Sequence, residues 1–292
     1  MPRPLLVVDA PSLLYRAFFA LPSTIRGAGD RPVNALLGTA NLILREAERH
    51  RPRAVALCFG PDAAAYRVAL YPRYHADRPP VPDELAPQFE DAPAFFAAFG
   101  WASFHGGDVE ADDVMGALAR AEEAAGGEAL LMTGDRDLFQ CVGDRVRVLY
   151  VRTGSAGKGA QLVDAAEVRR RYGVPPELVP DFIALRGDPS DGLPGARGIG
   201  EKTAAELLRR HGSLEAVLDA AVRERSPRVR AALIDAADEL RAFKDIATLR
   251  PPPVERPPDA GTDYRAAAAA ARERGLNRLA ERLEALAGRT PG

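Results

Sequence analysis

Apolar positions cluster in short runs at residues 5–8, 54–59, 101–104, 129–132 and 146–151, interrupted only by Ser103 and Arg147. Short apolar runs rich in β-branched residues predict strands, the first of them buried. Between them apolar residues recur at helical spacing near 11–20, 33–50, 82–99, 112–125 and 136–142. Strands alternating with helices predict an α/β fold, a mostly parallel sheet flanked by helices. Beyond about residue 163 only helical patterns follow, at 164–172, 176–185, 200–211, 214–222, 227–235 and 239–246. The proline-rich stretch 250–258 reads as a stiff linker. The Ala-rich stretch 266–286 reads as a helical tail broken near Gly275.

The polar positions sharpen this picture. Asp9 ends the first run, and Asp62 lies just past the second. Asp108, Glu110, Asp112 and Asp113 follow the third, and Asp135 and Asp137 follow the fourth. Parallel sheets gather ligands beyond the carboxyl ends of their strands. Carboxylates far apart in sequence are therefore expected to converge in one cleft. Such a set suits Mg²⁺ or Mn²⁺, which take oxygen ligands, and two such ions activate water against a phosphodiester. For any single acid the competing reading is a helix cap or a solvated side chain. No EF-hand spacing is present.

A second cluster runs from Gly187 through Asp188-Pro189-Ser190-Asp191 to Gly198-Ile199-Gly200-Glu201-Lys202-Thr203. The glycines open a helix whose amides can approach a phosphate without side chains in the way. A helix-hairpin-helix grips a nucleic-acid backbone in this manner without reading bases.

Composition alters little. The 292 residues are 47% hydrophobic and 27% charged, ordinary for a globular chain, with a formal net charge of −2. Arg replaces Lys almost throughout: 39 basic residues include only Lys158, Lys202 and Lys244. No apolar run reaches the roughly 18 residues of a membrane span, and the N-terminal run is too short for a signal peptide. Cys58 and Cys141 lack metal-ligand spacing and read as free core thiols. A cytoplasmic protein with no membrane partner is expected.

With these motifs in place the chain resembles the 5′ nuclease (flap endonuclease) superfamily. It is similar to the 5′→3′ exonuclease domain of bacterial DNA polymerase I and its free-standing relatives. The matching stretches are Leu6-Val7-Val8-Asp9 with Tyr15-Arg16, Glu110-Ala111-Asp112-Asp113-Val114, Thr133-Gly134-Asp135-Arg136-Asp137-Leu138, and Gly187–Asp191 through Lys202-Thr203-Ala204. They occur in the family's order over residues 5 to about 215.

The resemblance implies a PIN-like nuclease domain over 1–175, with an arch at about 68–100. It implies a helical region over 176–292 that holds a helix-hairpin-helix (H3TH) DNA-binding motif and the Ala-rich tail. It implies a metal-dependent 5′→3′ exonuclease and 5′-flap endonuclease of replication and repair. Asp9, Glu110 and Asp112 resemble ligands of one divalent ion. Asp135, Asp137 and Asp191, with Asp112 shared, resemble ligands of the other. Asp113 and Asp188 resemble acids that hold metal-bound waters. Arg16 and Arg67 resemble phosphate-gripping residues. Gly198, Ile199 and Gly200, with Lys202 and Thr203, look like the duplex contact, where such families also bind K⁺.

The expected partner is branched or 5′-ended duplex DNA, with a DNA polymerase or ligase alongside a monomeric, nucleoid-associated enzyme. The alternatives are a catalytically weakened branched-DNA-binding protein and a PIN-type RNase.

Two departures from the family pattern stand out. Gly60 occupies the place of a usual Asp after the second strand. Asp62 then either reaches the first ion through a water or is only a turn residue. In Tyr74-His75-Ala76-Asp77-Arg78, His75 stands where the family carries a Lys that contacts the reacting phosphate. His75 and Arg78 are expected to be catalytic, with the phosphate contact shifted onto Arg67, Arg73 and Arg78; the alternative is His75 as an ordinary surface residue. Tyr66, Tyr71 and Tyr74, interleaved with these arginines, suit base stacking or arch packing, with Tyr74 expected to face DNA.

Overall fold

The computed structural model describes residues 3–152 and 159–289. Strand β1 (Leu5–Asp9) leads into helices α1 (Ala10–Ala20) and α2 (Asn34–His50), then β2 (Ala54–Phe59). Helices α3 (Ala65–Leu70) and α4 (Ala86–Ala97) precede β3 (Ala102–His105), α5 (Ala111–Ala124) and β4 (Ala129–Thr133). A 3₁₀ turn (Asp137–Cys141), β5 (Val146–Tyr150), β6 (Gln161–Val163) and α6 (Ala165–Tyr172) complete the α/β part. The remainder is helical: α7 (Val179–Arg186), α8 (Glu201–His211), α9 (Leu214–Asp219), α10 (Pro227–Asp235), α11 (Ala237–Ala247), α12 (Tyr264–Glu273) and α13 (Asn277–Ala287).

The sheet has the order β3-β2-β1-β4-β5-β6, parallel except for β6. The chain order reverses between β1 and β4, so the crevice at their carboxyl ends is the switch point where such sheets bind ligands. Side chains alternate across the sheet with period two. Leu5 and Val7 join a core with α5, α7, α8 and α11, while Leu6 and Val8 join a second core with α1, α2 and α4.

Three features depart from the sequence pattern. The edge strand β6 and the helix α3 are too short, at three and six residues, to carry a periodic signal. Helix α4 belongs to the body, because Phe95, Phe96 and Phe99 are fully buried. Between α3 and α4, residues 71–85 form turns and loop.

The proline-rich stretch, expected as a stiff linker, is a strap bonded to the body. The Arg250 amide donates to Asp113 Oδ1 (2.6 Å), Arg256 Nε donates to Glu122 Oε2 (2.8 Å) and Arg53 Nη1 donates to the Pro257 carbonyl (2.8 Å). The strap thus runs the length of α5. It delivers α12 and α13 to the second core, where Ala267, Ala271, Leu276, Leu279 and Leu283 are buried beside α2 and α4.

Candidate metal and nucleic-acid site

The sheet fixes the first acid. Asp9 ends β1 and caps α1, accepting from the Ser12 amide (3.0 Å) and from Thr133 Oγ1 (2.7 Å) across the switch point. Burial raises its carboxyl above the usual range. The turn after β4 fixes two more. The Asp135 amide donates to Thr133 Oγ1 (2.9 Å), and the Asp137 amide donates to Asp135 Oδ1 (3.0 Å). Burial, reinforced by the neighbouring Asp191, pushes Asp135 up to about 7 and Asp137 well above its ordinary value. Both also feel Asp112, and Asp135 feels Asp9. Acids at the ends of β1 and β4, on α5 and in the 188–191 loop thus lie within electrostatic reach of one another.

The acids around α5 are held by a buried cation. Glu110 is the N-cap, its Oε1 accepting from the Ala64 amide (2.8 Å) and its Oε2 from Tyr74 Oη (3.0 Å). The Arg67 guanidinium lies 2.8 Å from Glu110, 3.1 Å from Asp112 and 3.2 Å from Asp113, and its Nε donates to the Ile246 carbonyl of α11. Burial opposes this charge, but the nearby Asp112 and Glu110 outweigh it. Asp113 is fully buried and also accepts from Tyr66 Oη (3.3 Å). Burial pushes it up to about 6. Arg67 was expected to grip phosphate. At 1% exposure it instead neutralises three acids. Asp113 was expected to face metal-bound water. It accepts instead from Arg67, Tyr66 and the Glu110 and Arg250 amides.

The segment between α3 and α4 meets the 188–191 loop from the other side. The His75 ring bridges the Asp62 carbonyl (2.6 Å) and Asp191 Oδ1 (3.2 Å), and it stacks on Tyr74 with centroids 3.8 Å apart. Its backbone is left-handed, at φ +55°. Arg78 bonds Asp62 and Asp191, each at 3.0 Å. His75 is thus a buried link and not a surface residue. Tyr74 is also buried, gripping Glu110, and does not face DNA as expected. Asp62 is 63% exposed at its side chain and paired with Arg78, on the outer rim.

A side chain at Gly60 would place its first carbon 2.7 Å from the Ala111 amide and the Val109 carbonyl. The usual acid has no room there. Asp188 accepts from the Ser190 amide (2.8 Å) and pairs with Arg186 (3.3 Å).

Farther along, Gly198 (φ +78°) and Gly200 open α8. The Ile199 side chain is core, while Lys202 is exposed and Thr203 half-buried. A residue that sequence spacing did not suggest joins them. The Arg228 guanidinium, from the first turn of α10, fills the space where a side chain at Gly198 would stand.

Among the described residues no three acidic, His or Cys side chains enclose a ready-made ion site. Arg67 holds Glu110 and Asp112. The donor set still fits hard dications, which prefer carboxylate oxygens. Asp137 Oδ1 is buried without a hydrogen-bond partner, an expensive state that a bound cation relieves.

Residues 4–173 match the family model "5′-3′ exonuclease, N-terminal resolvase-like domain", and 174–259 match "5′-3′ exonuclease, C-terminal SAM fold". A 5′-3′ exonuclease of Mycobacterium tuberculosis is 37% identical over 322 aligned residues that span all of both chains. DNA polymerase I of Mycobacterium bovis is 38% identical over 216 residues, covering 74% of this chain but only 24% of the polymerase. The chain thus spans about a quarter of its polymerase relatives' length. The T5 5′-exonuclease with bound zinc superposes with a TM-score of 0.69 at 18% identity, covering 96% of this chain and 98% of its own. The catalytic core of Rad2 in complex with DNA substrate gives 0.61 at 15% identity, over 97% and 90%. These two show the shared fold. On the family models and the full-length relative, the chain belongs to the 5′-3′ exonuclease family.

Proposed function

We propose that this family member is a divalent-metal-dependent 5′→3′ DNA exonuclease that also cuts 5′ flaps, by a two-metal mechanism. The carrying observation is the convergence of Asp9, Asp112, Asp135, Asp137 and Asp191, with Asp137 Oδ1 buried and unpartnered. Asp9, Glu110 and Asp112 would hold one ion; Asp135, Asp137 and Asp191 would hold the other. Two dications bound there would activate the attacking water and stabilise the leaving oxygen of the phosphodiester.

The protein's own residues supply the rest. Arg16 donates to the carbonyls of Gly134 (2.6 Å) and Val151 (3.1 Å), which aims its charge along the cleft for a phosphate. Tyr74 and Arg67 fix Glu110. His75 and Arg78 fix Asp191 and keep the segment between α3 and α4 against the 188–191 loop. The Gly198–Gly200 turn, Lys202 and Thr203 would hold the duplex backbone, with K⁺ as a further ligand of that turn. The metal-bound T5 enzyme and the DNA-bound Rad2 core support this reading. The working form would be a cytoplasmic monomer acting beside a polymerase or ligase.

The test is a labelled 5′-flap duplex incubated with Mg²⁺ or Mn²⁺. Wild type is expected to release short 5′ fragments, and Asp135→Asn to lose at least about a hundredfold in rate, the scale for removing a central charge-stabilising group. Cutting unaffected by that substitution rejects the site. Binding without cleavage selects the weakened-binder alternative, and preference for single-stranded RNA selects the RNase one.

A further inference from the structure

A cleft of about 530 Å³ opens beside the acids, with Arg16, Asp135, Arg136, Tyr150, Arg186 and Glu201 in its wall. One end is the turn after β4. The other is the start of α8, next to the Gly198–Gly200 turn. The acids in this wall are accounted for. Arg186 pairs with Asp188 and with Glu201, each at 3.3 Å, and Asp135 is assigned above to metal.

The remaining cations, Arg16 and Arg136, feel Asp9 and Asp188 only at longer range. Arg16 bonds only carbonyls and the Ser12 hydroxyl. Arg136 donates to Tyr150 Oη (3.2 Å), and its guanidinium carbon lies 5.9 Å from the Tyr150 ring centroid. Among the described residues neither makes an ion pair with a carboxylate. Tyr150 is itself buried, with Arg171 5.5 Å from its ring. Arg171 is in turn paired to Glu167 at 2.6 Å. Arg136 is therefore exposed but seated on a fixed platform, which lowers the ordering cost of binding.

We infer that Arg136, presented by Tyr150, binds a non-scissile phosphate of the DNA strand that runs between the acids and the Gly198–Gly200 turn. A planar guanidinium matches two phosphate oxygens at once. The position, between the cutting site and the duplex anchor, is where the backbone of one strand must cross. Arg136 thereby sets how firmly the duplex side of the substrate is registered against the acids. The inference rests on the DNA-nuclease reading above.

Arg136 also separates Asp135 from Asp137, so the competing explanation is that it only shapes that turn. Flap-DNA binding is measured with Ca²⁺ in place of Mg²⁺ across a salt series, for wild type, Arg136→Ala and Arg136→Lys. Arg136→Ala is expected to raise Kd roughly tenfold, as the loss of one charge-assisted contact does. The slope of log K against log salt is expected to shrink by about 0.9, one phosphate contact. Arg136→Lys is expected to keep that slope. In cleavage assays Arg136→Ala raises KM more than it lowers kcat, because the contact is made equally in ground and transition states.

An unchanged Kd and slope in Arg136→Ala overturns the inference. So does an equal loss of Mn²⁺ affinity, read by the spin-resonance signal of free Mn²⁺, since that outcome assigns Arg136 to the turn. If wild type itself fails to bind flap DNA, the functional reading falls and not this inference alone.

Discussion

At the scale of single residues, Arg67 changes its meaning most. It lies on the short α3 and was expected to meet substrate, yet it lies among Glu110, Asp112 and Asp113. Three acids at one helix start would repel, and one buried guanidinium offsets that repulsion. Removing one partner of a buried charge cluster leaves the others uncompensated. Arg67→Gln is expected to destabilise the metal-free protein by about 3–5 kcal/mol, read by urea unfolding in EDTA. Added Mn²⁺ should recover a substantial part of that loss by binding the freed acids. No loss in EDTA would show that Arg67 is not their counter-ion.

At the scale of elements, the tail and the strap act together. The strap is pinned by Asp113 and Glu122 at the two ends of α5, and α12 and α13 then close the second core. The lone tryptophan, Trp101, reports on this junction because its Nε1 donates to Thr262 (3.0 Å). Leu279→Ala and Leu283→Ala remove fully or nearly fully buried side chains and are expected to cost about 2–5 kcal/mol each. Their urea transitions, followed by Trp101 emission, should shift to lower midpoint with the slope unchanged. A midpoint like wild type would mean that the tail is not part of the fold's core.

At the scale of the whole molecule, the acids tie stability to pH. Asp135 and Asp113 ionise near 7 and 6 when folded, and Asp9, Glu110 and Asp137 are also raised. An unfolded carboxyl ionises near 4. Below that both states hold their protons and no cost arises. As pH climbs from about 4 through 7, the unfolded chain releases protons that the folded chain retains, so stability falls. The EDTA-treated protein is expected to melt at lower temperature at pH 8 than at pH 5. Mg²⁺ or Mn²⁺ should raise the melting temperature more at pH 8, where the ligands are free of protons. A metal-free melting temperature that rises over this interval would contradict the clustering of these acids.

Much of this was legible in the residues themselves. Apolar runs located five of the six strands; β1, β2 and β4 are buried along their whole length, as continuous apolar segments of a parallel sheet are, while β3 alternates half-buried and exposed residues at the sheet edge. The strand-end acids were legible because a parallel sheet puts every carboxyl end on one edge. What sequence left open depended on distance. Gly60 as a bar to the usual acid, His75 bridging Asp62 and Asp191, and Arg228 over Gly198 each join segments whose spacing carries no periodic signal. The strap shows the same limit: its prolines encode stiffness, but only α5 decides where it lies.

The sequence alone determined the architecture, the family and the inventory of carboxylates, since these follow from local pattern and residue type. Tertiary structure decided which charges meet. It buried Arg67 and Tyr74, left Asp62 on the rim and aimed Arg16 and Arg136 into one cleft, because burial and electrostatics depend on through-space neighbours.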